Sequence, residues 1–313
     1  MQREAERRSI PRSRRIARQG FRLTKRQFGF LLVLPSFLIV FVTLVYPLAY
    51  SIYITFHDMN LTRAALGPEF VGLKNYDEVL HNREFWQAFL RTSYFVFYDI
   101  FLGMPLGLAI ALLLNQNFRG RGLVRALILL PYVLPGTVNG LLWKWIYDAD
   151  YGSLNALLNQ LGLIEEYIPW LARPTLALHM LILANIWQGT PFAILLYLAG
   201  LQTIPRDLYE AATVDGASAW QSFRNITLPL LTPITLVMAV LKTIATFKIF
   251  DIVYVLTGGG PANSTQVVSY YIFNNSFKFL DIGTGAAMSY ILTLIILVLV
   301  FIYYRLLSTE VSY

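Results

Sequence analysis

The feature that most constrains this chain is a series of six long apolar segments. They cover roughly residues 29–56, 92–114, 123–147, 175–201, 233–256 and 284–307. The hydrocarbon core of a bilayer needs about 20 consecutive apolar residues per helix. Since no water is available there to hydrogen-bond exposed backbone groups, such segments must be helical. The sequence therefore predicts an all-α, polytopic membrane protein, a bundle of six transmembrane helices.

Prolines inside these segments predict that several of the helices are bent. They are Pro35 and Pro47 in the first segment, Pro131 and Pro135 in the third, and Pro191 in the fourth. Proline lacks the backbone donor and clashes with the preceding turn. We expect a break at Pro191, and we expect neighbouring helices to satisfy the carbonyls that the prolines set free.

The composition excludes several other classes of protein. Charged residues make up 14% of the 313 residues, whereas soluble domains carry about a quarter. There are no cysteines, and the three histidines (His57, His81 and His179) are far apart in sequence, so no metal site is predicted. The net charge of +7 arises largely from ten Lys and Arg in the first 26 residues. Membrane orientation explains that cluster, and we predict no nucleic-acid partner.

Orientation follows from the basic residues of the short loops. With the N-terminus inside, the cytoplasmic segments hold sixteen Lys and Arg and the outer segments hold six. We therefore predict that both termini are cytoplasmic. The predicted domains are a basic cytoplasmic tail (1–27), a transmembrane domain (28–308) and a short cytoplasmic C-terminus (309–313).

A polar segment, residues 203–232, separates the fourth and fifth apolar segments and is predicted to be cytoplasmic. Asp207 and Glu210 suit the first turn of a helix. Gly216 interrupts the helical pattern, so we predict two short helices joined by a turn. On the residues alone, the segment is either a connector resting on the membrane surface or a rigid element to which a soluble partner docks.

The polar segment also carries a spaced pattern. Its members are Glu210-Ala211-Ala212, Gly216 after three residues, Ile226 after nine more, and Leu228-Pro229. The pattern resembles the EAA signature of binding-protein-dependent ABC importer permeases, in which this segment is a coupling helix seated in a cleft of the ATPase subunit. The resemblance implies a docking element here, with ionic contacts beside it. The residues assigned to ATPase coupling are Glu210, Ala211, Ala212, Asp215, Gly216 and Arg224.

A second pattern follows the fifth apolar segment, where residues 247–261 read FKIFDIVYVLTGGGP. It looks like the F-x-x-F-D-x-x-Y-x-L-T-G-G-G-P stretch of carbohydrate importers, and is similar to the MalF, glycerol-3-phosphate and lactose types. Asn75-Tyr76 and residues 187–192 extend the resemblance over most of the chain.

The resemblance implies a type I ABC importer permease that translocates a sugar or oligosaccharide by alternating access. Its implied location is the cytoplasmic (inner) membrane of a bacterium or archaeon. The implied partners are a second, homologous permease subunit, an ATPase dimer and an extracytoplasmic solute-binding protein. The chain itself would not be an enzyme and would bind no cofactor, because the ATPase subunit uses ATP and Mg. No Gly-Lys dipeptide of a phosphate-binding loop occurs in the sequence.

Polar residues at membrane depth predict the solute path, because they usually face a cavity or a partner helix. Lys248 and Asp251 lie three residues apart and would share a helix face. They either form an ion pair that only stabilises the helix bundle or line the solute path. Residues at matching positions of the maltose permease contact the sugar. The residues assigned to the path are Asn185, Gln188, Phe247, Lys248, Phe250, Asp251, Tyr254, Ser289 and Tyr290. Asp99 has no evident partner, and Lys242 is a candidate for pairing across the heterodimer.

Alternative functions remain open at this point. Within the importers, a glycerol-3-phosphate or acidic-sugar permease is the main alternative, the latter if Lys248 is unpaired. A stand-alone secondary transporter would also explain the apolar segments. It predicts two repeated halves, which this sequence does not show, and it leaves the polar segment unexplained.

Overall fold

The computed structural model describes residues 24–307, apart from the side chains of residues 64–66 and 307. The predicted basic tail up to residue 23 and the predicted C-terminus 309–313 lie outside the described residues. The chain divides into two units after Ile52. The first unit holds most of helix α1 (Lys25–Thr55). A capping box begins this helix, since the Thr24 hydroxyl accepts from the Gln27 N–H and the Gln27 side chain accepts from the Thr24 N–H.

The second unit contains the remaining helices and one short sheet. Strand β1 (His57–Asp58) pairs antiparallel with β2 (Glu69–Phe70). The helices are α2 (Lys74–His81), α3 (Arg83–Asn115), α4 (Arg121–Val133), α5 (Gly136–Ile146), α6 (Ser153–Gln160), α7 (Pro174–Thr203), α8 (Arg206–Val214), α9 (Ala219–Phe247), α10 (Asp251–Leu256), α11 (Val268–Phe273) and α12 (Ile282–Leu307).

Five of these helices (α1, α3, α7, α9 and α12) are long and apolar enough to cross a membrane. The pair α4 and α5, bent by 98°, makes a sixth crossing if it counts as one span. The six predicted apolar segments are therefore helical, and the predicted bend at Pro131 and Pro135 is confirmed. The predicted limits of the fifth span, 233 and 256, were wrong. Helix α9 begins fourteen residues earlier, within the predicted coupling segment, and ends at Phe247.

Prolines explain an irregularity that recurs in three of the spans. Each contains a π-helical turn that ends two residues before a proline. The pairs are Phe41–Val45 with Pro47, Asp99–Gly103 with Pro105, and Phe223–Thr227 with Pro229. Because a proline ring clashes with the carbonyl of the preceding turn, a widened turn lets the helix continue. Helix α7 runs unbroken through Pro191, so the break predicted there is wrong.

Small residues bring the central helices of the second unit together. A Cβ on Gly107 of α3 would lie 2.6 Å from the Cβ of Ala193 on α7, so these backbones approach closely. Around this contact, side chains of α3, α7 and α9 form one buried apolar cluster, which includes Met104, Ile194 and Met238.

Candidate functional site

Helix α8 ends in a turn that depends on Gly216. The Ala217 N–H donates to the Ala212 carbonyl (2.9 Å), and the Gly216 N–H donates to the Thr213 carbonyl (3.1 Å). Gly216 has φ +76°, the left-handed conformation that commonly closes a helix in this motif. Ser218 then starts α9 with a capping box to Gln221. The two helices joined at Gly216 are as predicted, except that the second is the start of a transmembrane span.

The predicted coupling residues lie together on the surface of this turn. Glu210, Ala211, Asp215, Gly216 and Arg224 are exposed, and Ala212 is half-buried. Among residues 24–307, the charged side chains of this set form no ion pair with one another or with other groups. Their charges are therefore available to a partner.

Two large apolar side chains flank the same turn, and the sequence reasoning missed them. Val214 is 87% exposed and Trp220 is 66% exposed. Large exposed apolar residues on both sides of a polar turn are consistent with an interaction surface. The signal was their apolar character inside an otherwise polar segment.

Helix α8 is tied to the base of α9 by a side-chain hydrogen bond. The Tyr209 hydroxyl lies 2.9 Å from the hydroxyl of the buried Thr227. Beside this bond is a cleft of about 670 Å³, whose lining includes Asn115, Arg206 and Phe223. Tyr209 therefore connects α8 directly to the start of α9.

A buried ion pair connects α3 with α9. Lys242 Nζ donates to Asp99 Oδ1 at 2.6 Å, and the Thr246 hydroxyl donates to Asp99 Oδ2 at 2.9 Å. The side chains of Lys242 and Asp99 are only 6% and 4% exposed. The expectations for both residues were wrong, because Asp99 has a partner and Lys242 pairs within the chain rather than across a heterodimer.

Two glycines make room for the ion pair. A Cβ on Gly103 would lie 3.0 Å from Asp99 Oδ1, and a Cβ on Gly189 would lie 3.4 Å from Lys242 Nζ. Beside the pair is a cavity of about 310 Å³ between α3, α4, α7 and α9, called here the central cavity. It is lined by Asp99, Tyr132, Asn185, Gly189, Phe192, Leu241, Lys242, Ala245 and Thr246.

Asn185, predicted to line the solute path, lies in the wall of the central cavity. Its side chain is half-buried, and within residues 24–307 its amide makes no hydrogen bond. Nearby, the rings of Tyr132 and Phe192 stack with centroids 5.5 Å apart. The cavity thus combines a free amide, an ion pair, a hydroxyl and aromatic rings.

Gln188, also assigned to the path, uses both ends of its amide within the protein. Its Oε1 accepts from Asn139 Nδ2 (2.8 Å), and its Nε2 donates to the Leu134 carbonyl (2.7 Å). Leu134 lies at the bend between α4 and α5. These contacts show Gln188 satisfying a carbonyl that the bend leaves without a helical partner, as expected for a proline-bent span.

Lys248 and Asp251 do not share a helix face, so that expectation is wrong. Helix α9 ends at Phe247, and Asp251 begins α10 after a change of direction at Phe250 (φ −134°, ψ −56°). No ion pair joins the two among the described residues. Asp251 instead lies against α5, since a Cβ on Gly136 would be 3.2 Å from its Oδ2.

The remaining path residues, apart from Tyr290, fall into two groups. Phe247, Lys248 and Ser289 line one cleft of about 480 Å³, together with Ser269 and Thr293. Lys248 is exposed, whereas Phe247 is buried.

Phe250 and Tyr254 belong to an aromatic cluster. Their rings stack at 5.5 Å, and Phe273 lies 4.7 Å from Phe250. Tyr254 is 51% exposed, so part of this cluster is accessible. Tyr290 is half-buried on α12.

Known proteins resemble this chain in both sequence and fold. Residues 103–312 match the family described as binding-protein-dependent transport system inner membrane component. The chain is similar to the trehalose/maltose transport system permease protein MalF of Thermococcus litoralis, with 40% identity over 89% of this chain and 93% of that protein. It is also similar to the sulfoquinovosyl glycerol transport system permease protein SmoG of Agrobacterium fabrum, with 37% identity over 92% of each. The trehalose transport system permease protein SugA of Mycobacterium tuberculosis is 34% identical to this chain, over 93% of this chain and 92% of the SugA chain.

The fold resembles that in the crystal structure of a bacterial ABC transporter that imports the acidic polysaccharide alginate. The TM-score is 0.78 at 22% identity, over 91% of this chain and 96% of that chain. This likeness confirms the predicted all-α permease fold.

The chain belongs to the family of binding-protein-dependent transport system inner membrane components. It is a membrane-embedded permease subunit of an ABC importer, and it is not an enzyme. The family membership predicted from the EAA pattern is confirmed.

Proposed function

We propose that this permease carries a sugar or oligosaccharide across the cytoplasmic (inner) membrane of a bacterium or archaeon by alternating access. The names of the relatives, which include trehalose and maltose transport, support a carbohydrate. The observation that carries the proposal is the central cavity, a mostly apolar space between four helices whose wall also carries an ion pair, an amide and a hydroxyl. Polar groups are costly at such positions and usually mark a substrate pathway.

The central cavity is the proposed solute site. A carbohydrate presents hydroxyl groups that both donate and accept hydrogen bonds, together with apolar ring faces. The Asn185 amide offers both a donor and an acceptor. The Tyr132 and Phe192 rings provide the flat apolar surface of a typical ligand pocket. The cleft at Lys248 and the aromatic cluster at Tyr254 are proposed as further parts of the path.

We propose the turn around Gly216 as the docking point of an ATPase subunit. Its exposed charges are unpaired among the described residues, and Val214 and Trp220 offer an apolar contact. Two ATPase copies would serve a heterodimer of this chain with a second permease. ATP and Mg would be bound by the ATPase and no cofactor by this chain. An extracytoplasmic binding protein would deliver the solute, and both termini would be cytoplasmic.

Helix α9 is the proposed link between ATP use and solute movement. It begins beside the docking turn, is tied to α8 through Thr227, and carries Lys242 and Thr246 in the wall of the central cavity. At a rise of 1.5 Å per residue, Thr227 and Lys242 are about 22 Å apart along the helix. Closure of the ATPase dimer would move α8, and α9 would transmit that movement to the cavity.

The test is transport by the complete complex, assembled with its partner permease, ATPase and binding protein in proteoliposomes. Sugar-loaded binding protein should stimulate ATP hydrolysis and sugar uptake together. Replacing Asn185 with Leu should reduce uptake strongly. Leu195→Ala, an exposed position on the same helix that lies outside the cavity wall, serves as the matched control. Uptake that proceeds without ATP would refute the proposal in favour of a secondary transporter.

A further inference from the structure

We infer that the central cavity selects an uncharged solute, because Asp99 neutralises the cation in its wall. This inference rests on the proposed function, which places the solute in that cavity. Asp99 and Lys242 are the charged members of the cavity lining, and they form an ion pair at 2.6 Å. A solute that enters therefore meets hydrogen-bonding groups but no net charge.

The contacts of Asp99 hold its carboxylate against Lys242. One oxygen accepts from Lys242 Nζ and the other from the Thr246 hydroxyl. Gly103 and Gly189 leave room for the two side chains, since a Cβ at either position would lie within 4 Å of Lys242 Nζ. Asp99 also begins the π-helical turn of α3. Such turns often occur at functional sites.

Lys242 retains donor capacity after pairing. An ammonium group carries three N–H donors, and the described residues supply one acceptor, Asp99 Oδ1. Because Lys242 lines the cavity, its other donors are available to a solute oxygen. A neutral hydroxyl can accept from them without disturbing the ion pair.

An anionic solute would bind in the cavity less favourably than a neutral one. It would compete with Asp99 for Lys242 and place two negative charges beside one positive charge. Separating the pair would leave a buried, unpaired carboxylate, which is strongly unfavourable. Like charges brought together at a recognition site exclude the wrong partner. Asp99 is thus a specificity-determining residue that acts through Lys242.

A second lysine on the same chain provides the contrast. Lys248, six residues further on, is exposed, forms no ion pair among the described residues and lines a different cleft. The known relatives do not decide between solute charges, because their names cover trehalose and maltose as well as an acidic polysaccharide. The ion pair in the central cavity is the feature that favours a neutral solute over a charged one.

The experiment measures solute binding to the complete transporter in lipid discs, without its binding protein, by calorimetry. Leaving out the binding protein removes its own selection of solutes. The probes are matched pairs that differ in charge: trehalose with trehalose 6-phosphate, and glucose with glucuronate. We expect wild type to bind the neutral member of a pair at least about tenfold more tightly. Asp99→Asn, which leaves Lys242 unpaired, should shift this ratio at least about tenfold towards the anion, and Lys144→Met, at an exposed lysine of α5 outside the cavity lining, should leave it unchanged.

The contrary outcomes are separable. Preference of wild type for the anions, or an unshifted ratio in a folded Asp99→Asn complex, overturns the inference while leaving sugar transport intact. If no sugar binds to wild type, the central cavity is not the solute site and the proposed function fails with it. Should Asp99→Asn fail to assemble, Asp99→Asn/Lys242→Gln removes both charges and must keep the preference for neutral sugars. Loss of that preference in the double variant also overturns the inference.

Discussion

Gln188 Nε2 donates to the carbonyl of Leu134 over 2.7 Å, at the point where the third span bends by 98°. The same amide accepts from Asn139 on the far side of the bend. Gln188 therefore joins α7 to both halves of the broken span. Prolines make the bend possible, and a side chain from another helix bridges its two halves.

Replacing Gln188 with Ala should destabilise the permease by about 1–3 kcal/mol, because the half-buried Leu134 carbonyl and the buried Asn139 amide each lose a hydrogen bond. The midpoint of thermal unfolding of the purified complex measures this. Gln160→Ala is the control, since Gln160 is exposed and has no side-chain hydrogen bond within residues 24–307. Equal midpoints for the two variants would show that the bend does not need Gln188.

Removing one member of the buried ion pair should cost more than removing both. Lys242→Met leaves Asp99 buried without its cation, and the expected loss is about 3–5 kcal/mol. The double variant Asp99→Leu/Lys242→Met should unfold near the wild-type midpoint. Arg63→Ala is the matched control, because the Arg63–Asp58 pair is exposed and should contribute no more than about 1 kcal/mol. Additive effects of the two single substitutions would contradict a direct interaction.

The sequence predicted the helical segments well because lipid imposes one rule on all of them: a long apolar stretch must be helical. It predicted the limits of the fifth span poorly. The predicted start lay at residue 233, yet a π-helical turn accommodates Pro229 within α9 and the helix runs on through Pro233. The helix then ends at Phe247, inside an apolar stretch that gives no signal for a stop.

The central cavity was the hardest part to predict. Asp99 and Lys242 are 143 residues apart in sequence, and no periodic pattern connects positions on different helices. Lys248 and Asp251 attracted attention because they are close in sequence, but the chain leaves the helix between them. Local spacing predicts contacts only between residues of one continuous helix. Asn185 could therefore be assigned to the solute path from the sequence, but its cavity neighbours Asp99 and Lys242 could not.

Trp220→Ala should weaken attachment of the ATPase subunit, because it removes an exposed apolar side chain from the proposed docking turn. Large aromatic residues often dominate such interfaces, and their truncation commonly costs about 2 kcal/mol or more. The measurement is the amount of ATPase that co-purifies with the permease as salt is raised. Trp145→Ala, equally exposed at 66% but located on α5, is the control. Equal retention of ATPase by both variants would place the docking surface elsewhere.

Gly216→Val should uncouple transport from ATP hydrolysis, because the turn requires φ +76°. A β-branched residue in the left-handed region costs roughly 1–2 kcal/mol or more, whereas Asn adopts it readily. No atom lies within 4 Å of a Cβ at this position, so the penalty comes from the backbone and not from crowding. We therefore expect sugar uptake per ATP hydrolysed to fall in Gly216→Val and to remain near wild type in Gly216→Asn, with both measured in proteoliposomes. If both variants lose uptake equally, Gly216 is needed because a side chain there would block contact with the ATPase. The conformation of the turn would then not be the reason.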